Sequence, residues 1–344
     1  MKTTLLAAII AAALAACGGA KSGSNTATQI TEPVGPAFSA DSAYLFCQQQ
    51  CDFGPRTMNS QAHEQCAQWI AAKFQHYGMS VTEQRATLKG YDGTALLCNN
   101  IIASYRPQKK ERIMLCAHWD SRPWADNDPD EANWHRPVMA ANDGASGVAV
   151  MLEIARLLSA EPTAQTDSSA HTQGAALSPQ LGIDFVCFDA EDWGTPQWSD
   201  EPDASDSWAL GAQHWAANPH VQGYRPRYAI LLDMVGGQGA RFYHEGYSKH
   251  YASHIVDRVW QAAQTVGYGS LFPQRDGGTI TDDHVPVNQV ARIPCIDIIP
   301  YYPACPESSF GPTWHTVNDD MDHIDRNTLK AVGQTLVQVI YTER

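Results

Sequence analysis

The sequence predicts an α/β fold: a single globular domain in which helices flank a mixed, mostly parallel central sheet. Three observations carry that expectation. Near-continuous apolar runs recur along the chain, and such runs belong to strands buried on both faces. Segments with helical spacing separate them, and this alternation is the pattern of a doubly wound α/β domain. The chain has 344 residues, 44% of them apolar, enough for one large core. No internal repeat or linker divides it.

The elements follow in order. Residues 59–77 read as a helix, with Ala62, Cys66, Trp69, Ile70 and Phe74 on one face and Gly78 as its stop. A strand is expected over 79–88. The apolar runs at 100–105, 112–121, 182–192, 228–237 and 294–301 supply the remaining strands. Helical patterns lie at 146–158, about 209–217, 251–266 and 329–340. The last carries Leu329, Val332, Leu336 and Val339 on one stripe, with Asp325 placed to cap it. Residues 160–180 and the acidic stretch 198–207 read as surface loops.

The first residues read differently. Lys2 precedes the apolar stretch LLAAIIAAALAA, which is short and alanine-rich for a membrane span and reads as an export signal. LAAC, ending at Cys17, resembles a bacterial lipobox, which implies a signal peptide over 1–16 and lipidation of Cys17. A cleaved signal with an incidental cysteine is the alternative. The polar residues after Cys17 suggest a flexible tether over 17–40 and a catalytic domain over 41–344. The expected location is the periplasmic side of a membrane, held by the lipid anchor alone.

A formal net charge of −14 without any basic run excludes a nucleic-acid partner at this level of reading. Eight cysteines remain after Cys17. Export permits disulfides, but the spacing assigns none. Cys116 and Cys187 sit inside apolar runs and read as small core residues. No pair of cysteine pairs has the spacing of a zinc ribbon.

The chemistry gathers where strands end. His118 and Asp120 close one apolar run, Asp189, Glu191 and Asp192 a second, and Asp233 a third. In open α/β sheets the ligand crevice lies beyond the carboxyl ends of the strands. Asp143, in AANDGASG, precedes a helix, where its ordinary role is capping. His315 lies in WHTVNDD before the last helix. Crowded carboxylates repel one another and cost desolvation, and a divalent cation offsets both. Two carboxylates and a histidine around one zinc with an open position form a common catalytic arrangement. Of two adjacent acids, one can then face the metal and the other the reacting group as general base.

AHWDS, ANDGASG, FDAED, LLDMVGG and WHTVND, in that order, resemble the zinc-dependent aminopeptidases of the co-catalytic type. They resemble equally the animal-type glutaminyl-peptide cyclotransferases, which share that fold. The resemblance runs from about Tyr44 to the C-terminus. HWDSRPWADNDPD, TDDHVP and FGPTWHT are similar to the cyclase branch, in its bacterial lipoprotein form.

That resemblance implies one zinc held by Asp143, Asp192 and His315. It implies Glu191 as the proton shuttle, with Asp233 and Asp282 as its partners near the substrate amine. Trp198, Phe310 and Trp314 would line the pocket. The substrates would be peptides or proteins with a free N-terminal Gln. The aminopeptidase alternative adds a second zinc on His118 and Asp233. A non-catalytic binding lipoprotein is disfavoured, because no expected ligand is replaced by an apolar residue. Asp192 is a departure: both families usually carry Glu there.

Overall fold

A computed structural model describes residues 32–160, 179–200 and 205–344. The signal segment 1–16, Cys17, most of the 17–40 tether and most of the 160–180 loop lie outside the described residues.

The six-stranded sheet has the order β1-β2-β4-β3-β5-β6. Its strands are β1 (Ser80–Lys89), β2 (Ala95–Tyr105), β3 (Arg112–His118), β4 (Gly182–Phe188), β5 (Ala229–Leu232) and β6 (Cys295–Ile298). β1 and β2 run antiparallel to their neighbours, whereas β4, β3, β5 and β6 are mutually parallel. The expected mixed, mostly parallel sheet is therefore present. Every residue of β3 through β6 is buried, which is why these segments read as unbroken apolar runs.

The helices are α1 (Ala40–Cys51), α2 (Gln61–His76), α3 (Ala145–Ser159), α4 (Leu210–Ala217), α5 (Gly246–Thr265), α6 (His284–Gln289) and α7 (Arg326–Thr342). Side chains alternate across a strand. Accordingly Ile113, Leu115, Phe185 and Ile230 point to one face, under α1, α2, α3, α5 and α7. Met114, Cys116, Val186 and Leu231 point to the other, under α4 and α6. Cys116 and Cys187 are both fully buried core residues, as the sequence implied. Cys47, Cys51, Cys66, Cys98, Cys116, Cys187, Cys295 and Cys305 are all free thiols.

Several segments depart from the sequence reading. Residues 34–39, read as the end of the tether, are fixed against α7. The Val34 and Phe38 amides donate to Gln338 and Gln334, and the Phe38 side chain is 2% exposed. α1 then begins at Ala40, the last residue of the expected tether, capped by Ser39, whose hydroxyl accepts from the Ser42 amide. β5 and β6 are four residues each, shorter than their apolar runs, because the chain leaves the sheet to present Asp233 and the segment after Ile298.

Candidate active site

Parallel pairing sets the site. His118 is in register with Phe188 on β4, and Cys116 with Leu231 on β5. The ends of β3, β4 and β5 therefore lie side by side, and the chemistry-bearing residues that follow them share one edge of the sheet. His118, Asp143, Glu191, Asp192, Asp233, Asp282 and His315 are all buried there.

The turn after β4 shows how the fold holds acids together. Ala190 is left-handed at φ 53°, a conformation that costs a non-glycine residue on the order of 1 kcal/mol. The surroundings compel it. Asp189 braces the turn below by accepting from the Asn99 and Ala190 amides and from His63 Nε2 at 2.9 Å. Asp120 closes it above, accepting the Glu191 amide at 3.1 Å and the Asp192 amide at 3.2 Å. The two acids then project on opposite errands. Glu191 enters the pocket, and Asp192 turns toward His315, whose Nε2 lies 3.1 Å from its Oδ1.

Asp143 does not cap α3. Gly144 is the cap residue, at φ +106°, and it makes no side-chain cap bond. A Cβ there would lie 2.6 Å from the Asp120 carbonyl oxygen, so glycine is required by space as well as by conformation. Asp143 is thereby free to stand between two histidines. Its Oδ1 is 2.9 Å from His118 Nε2 and its Oδ2 is 3.7 Å from His315 Nε2. Asp319 accepts the Asn142 and Asp143 amides and fixes this loop.

The donors fit a divalent cation. Asp143, Asp192 and His315 each bring a ligand atom within 4.8 Å of the others, and all three are buried. Neither carboxylate oxygen of Asp192 has a hydrogen-bond partner, and both are inaccessible to water. A buried carboxylate left so is costly unless a cation receives it. His118, Asp143 and Asp233 form a second group of the same kind, with Asp143 common to both.

The electrostatics separate neighbours. Burial, and then the charge of Asp192, hold the Glu191 carboxyl well above the usual range. Burial also acts on Asp192, but the positive charge of His315, 3.1 Å away, overcomes it and keeps that carboxyl low. The environment thus favours a proton on the first acid and the ionised form of the next. Asp233 and Asp282 are likewise pushed up, by burial first.

These residues open on a pocket of about 240 Å³. Asp143, Glu191, Asp233, Asp282, Phe310, Trp314 and His315 line it. Trp198 does not. Its ring packs outside, 6.1 Å from Trp134 and 6.0 Å from Trp124. Trp208 stands in the wall instead, parallel to the His315 ring at 6.0 Å and 10°. The cause is local. The Thr195 amide donates to the Ser207 hydroxyl, which returns the chain to the site, and Gly194 lets the Trp208 ring lie directly on the backbone. Trp208, Asp120 and Asp319 had no assigned role in the sequence reading. Asp120 offered the one available signal, a carboxylate two residues after a strand-end histidine.

Residues 100–340 match the family model of peptidase family M28. This chain belongs to peptidase family M28. The M28 chain is similar to the crystal structure of Bacteroides thetaiotaomicron glutaminyl cyclase bound to N-acetylhistamine. The identity is 52%, the TM-score 0.83, and the match covers 90% of this chain and 99% of that one. It is also 26% identical over 277 residues to aminopeptidase YwaD of Bacillus subtilis, covering 77% of this chain and 49% of that protein. With the glutaminyl-peptide cyclotransferase of Gloydius blomhoffii it shares 26% over 255 residues, 69% of this chain and 63% of that protein. The match thus spans about half to under two thirds of these curated M28 relatives, and nearly all of the solved bacterial cyclase.

Proposed function

We propose that the protein is a zinc-dependent glutaminyl-peptide cyclotransferase, converting the N-terminal Gln of peptides or proteins to pyroglutamate with release of ammonia. One observation carries this reading: a small aromatic-walled pocket encloses Glu191, whose carboxyl burial pushes well above its usual range, beside a buried trio fit for one cation. The likeness to a solved glutaminyl cyclase across 99% of its length supports it.

Zinc, when bound by Asp143, Asp192 and His315, supplies a Lewis acid toward the side-chain amide oxygen of the substrate. The rest is the work of the chain. Phe310, Trp314 and Trp208 confine the Gln side chain in the bent form that brings its own α-amine onto the amide carbon. Such confinement counts heavily in an intramolecular reaction. As the nitrogen–carbon bond forms, Glu191 accepts the proton shed by the amine. It then delivers that proton to the amide nitrogen as the old carbon–nitrogen bond breaks and ammonia departs. Asp233 and Asp282, both in the pocket wall, accept hydrogen bonds from the amine and orient it, and the hydrogen it keeps becomes the ring N–H of the product.

A second reading rests on His118, whose Nε2 lies 2.9 Å from Asp143 and 3.2 Å from Asp233. A second zinc there would make a two-metal aminopeptidase. One experiment separates the readings. Zinc-loaded protein is incubated with a short peptide beginning in Gln, and mass spectrometry follows the products. Loss of one ammonia with the peptide otherwise intact, abolished by a chelator, is expected of the cyclase. Release of the first residue as a free amino acid is expected of the peptidase.

We further infer export and anchoring through a lipid on Cys17, from the signal-like segment before it. Among the described residues no helix is long and apolar enough to cross a membrane. The acidic charge leaves peptides, not nucleic acids, as partners. Metabolic labelling with a radioactive fatty acid, lost in Cys17→Ala, tests the anchor.

A further inference from the structure

We propose that Arg122 is a positioning residue that sets both flanks of the Asp143–Asp192–His315 trio and one wall of the pocket. The proposal rests on the zinc reading given above. Arg122 follows β3 by four residues and is 1% exposed. A guanidinium so buried needs a partner for every N–H. It has them. Nε and Nη2 fork onto the Asp126 carboxylate at 3.0 and 2.6 Å. Nη1 donates to the main-chain oxygens of Asp192 and Gly194, each at 3.0 Å, and Nη2 reaches that of Thr195 at 3.5 Å. The group does not line the catalytic pocket, so its effects pass through what it holds and through its charge, with Nη1 3.9 Å from Asp192 Oδ1.

Three effects follow from those contacts. First, Asp192 is gripped at both ends of its main chain, its amide by Asp120 and its carbonyl by Arg122. The shorter carboxylate at this position has little reach, so the backbone must bring it to the metal. Second, the same Asp126 that Arg122 forks lies 3.4 Å from His315 Nδ1. A metal-ligating His whose other nitrogen faces a carboxylate keeps its tautomer and ring orientation. Third, the guanidinium carbon lies 4.6 Å from the Trp208 ring centroid and 5.1 Å from that of Trp124. Stacking of this kind supports the Trp208 wall from behind. A lysine cannot hold all of these partners at once, since a point charge on a flexible stem neither forks nor stacks as a plane.

The test compares the unsubstituted protein with Arg122→Lys and Asp126→Asn, all loaded with zinc. Zinc release to a chelator, thermal unfolding of the zinc-free chains, and KM with a short N-terminal Gln peptide are measured. Both variants are expected to release zinc faster, on the order of 10- to 100-fold. KM is expected to rise in Arg122→Lys and to hold in Asp126→Asn, because only the first loses the support behind Trp208. Zinc release at the unsubstituted rate in Arg122→Lys overturns the proposal. So does faster release fully accounted for by partial unfolding of the zinc-free variant at the assay temperature. Should Arg122→Lys fail to fold, Asp126→Asn decides, and unchanged release in it overturns the proposal. Zinc release does not depend on the reaction catalysed. A zinc-binding protein that leaves Gln peptides intact therefore counts against the proposed function alone.

Discussion

The carboxylate of Asp120 accepts the main-chain amide of Glu191 at 3.1 Å, so a residue just after one strand fixes the proposed base that follows another. The second oxygen takes the Asp192 amide at 3.2 Å. Base and metal-facing acid therefore share one anchor. In Asp120→Ala two buried amides lose their acceptor, which costs roughly 1–3 kcal/mol each in unmet desolvation. The expected result is a folded but less stable protein with kcat reduced at least 10-fold. Thermal unfolding and turnover of a Gln peptide measure the two effects.

Glu191, in the pocket wall, is held well above its usual pKa while Asp192 beside it is held low. Glu191→Gln keeps the shape and removes the proton acceptor. Turnover is expected to fall by about 10²- to 10⁴-fold while zinc content stays at the unsubstituted level. Metal analysis and product mass spectrometry on the same sample check both halves. Near-normal turnover would sink the assignment.

Trp208 and Trp198 offer a matched pair. Only Trp208 lines the pocket; Trp198 packs on Trp134 and Trp124. Trp208→Ala is expected to raise KM for a Gln-amide substrate about 10-fold or more, the scale of a lost aromatic contact of roughly 1–2 kcal/mol. Trp198→Ala is expected to leave that KM within about twofold. The reverse ranking would return Trp198 to the pocket.

What the sequence made legible has a physical pattern. β3 and β4 begin where their apolar runs begin, because strands buried on both faces can be little else. The cluster of strand-end acids and histidines was legible for the same reason, because ionisable groups directly behind such strands stand out, though Asp120 and Asp189 turn out to hold the turn itself. α6 was not, since six residues containing Pro286 carry no periodicity; the proline fits only because it stands in the first turn. Asp143 read equally well as a cap, and only the conformation of Gly144 removes that role. Trp208 was hidden because its place depends on Ser207 meeting Thr195 and on Arg122 behind it, contacts between segments that composition does not connect.

Metal content distinguishes the two catalytic readings. His118 has Asp143 and Asp233 within 3.2 Å, so the residues of a second site are in place. The cyclase reading expects one tightly held zinc per chain, retained in His118→Ala and lost in His315→Ala. Two equivalents per chain, one of them lost with His118, would instead favour the peptidase. Elemental analysis after exhaustive dialysis gives the number directly.

The last expectation concerns acid stability and Glu245, the cap of α5. Its carboxylate accepts from the Tyr247, Ser248 and Ile280 amides and lies 3.1 Å from His284 Nε2. It thereby ties α5 to the segment that carries Asp282 into the pocket. Burial alone would raise its pKa, but the hydrogen bond and charge of His284, helped by the amides, bring it down to about 2. A carboxyl whose folded pKa is depressed stabilises the fold above its unfolded pKa, near 4.5, and loses that contribution as pH falls toward 2. The difference corresponds to about 3 kcal/mol. Glu245→Gln is therefore expected to melt well below the unsubstituted protein at pH 6, and the two curves should converge near pH 2. Melting temperatures measured across that range check the sign, since a gap that persists unchanged at pH 2 would mean that packing, not the ionised carboxylate, makes the difference.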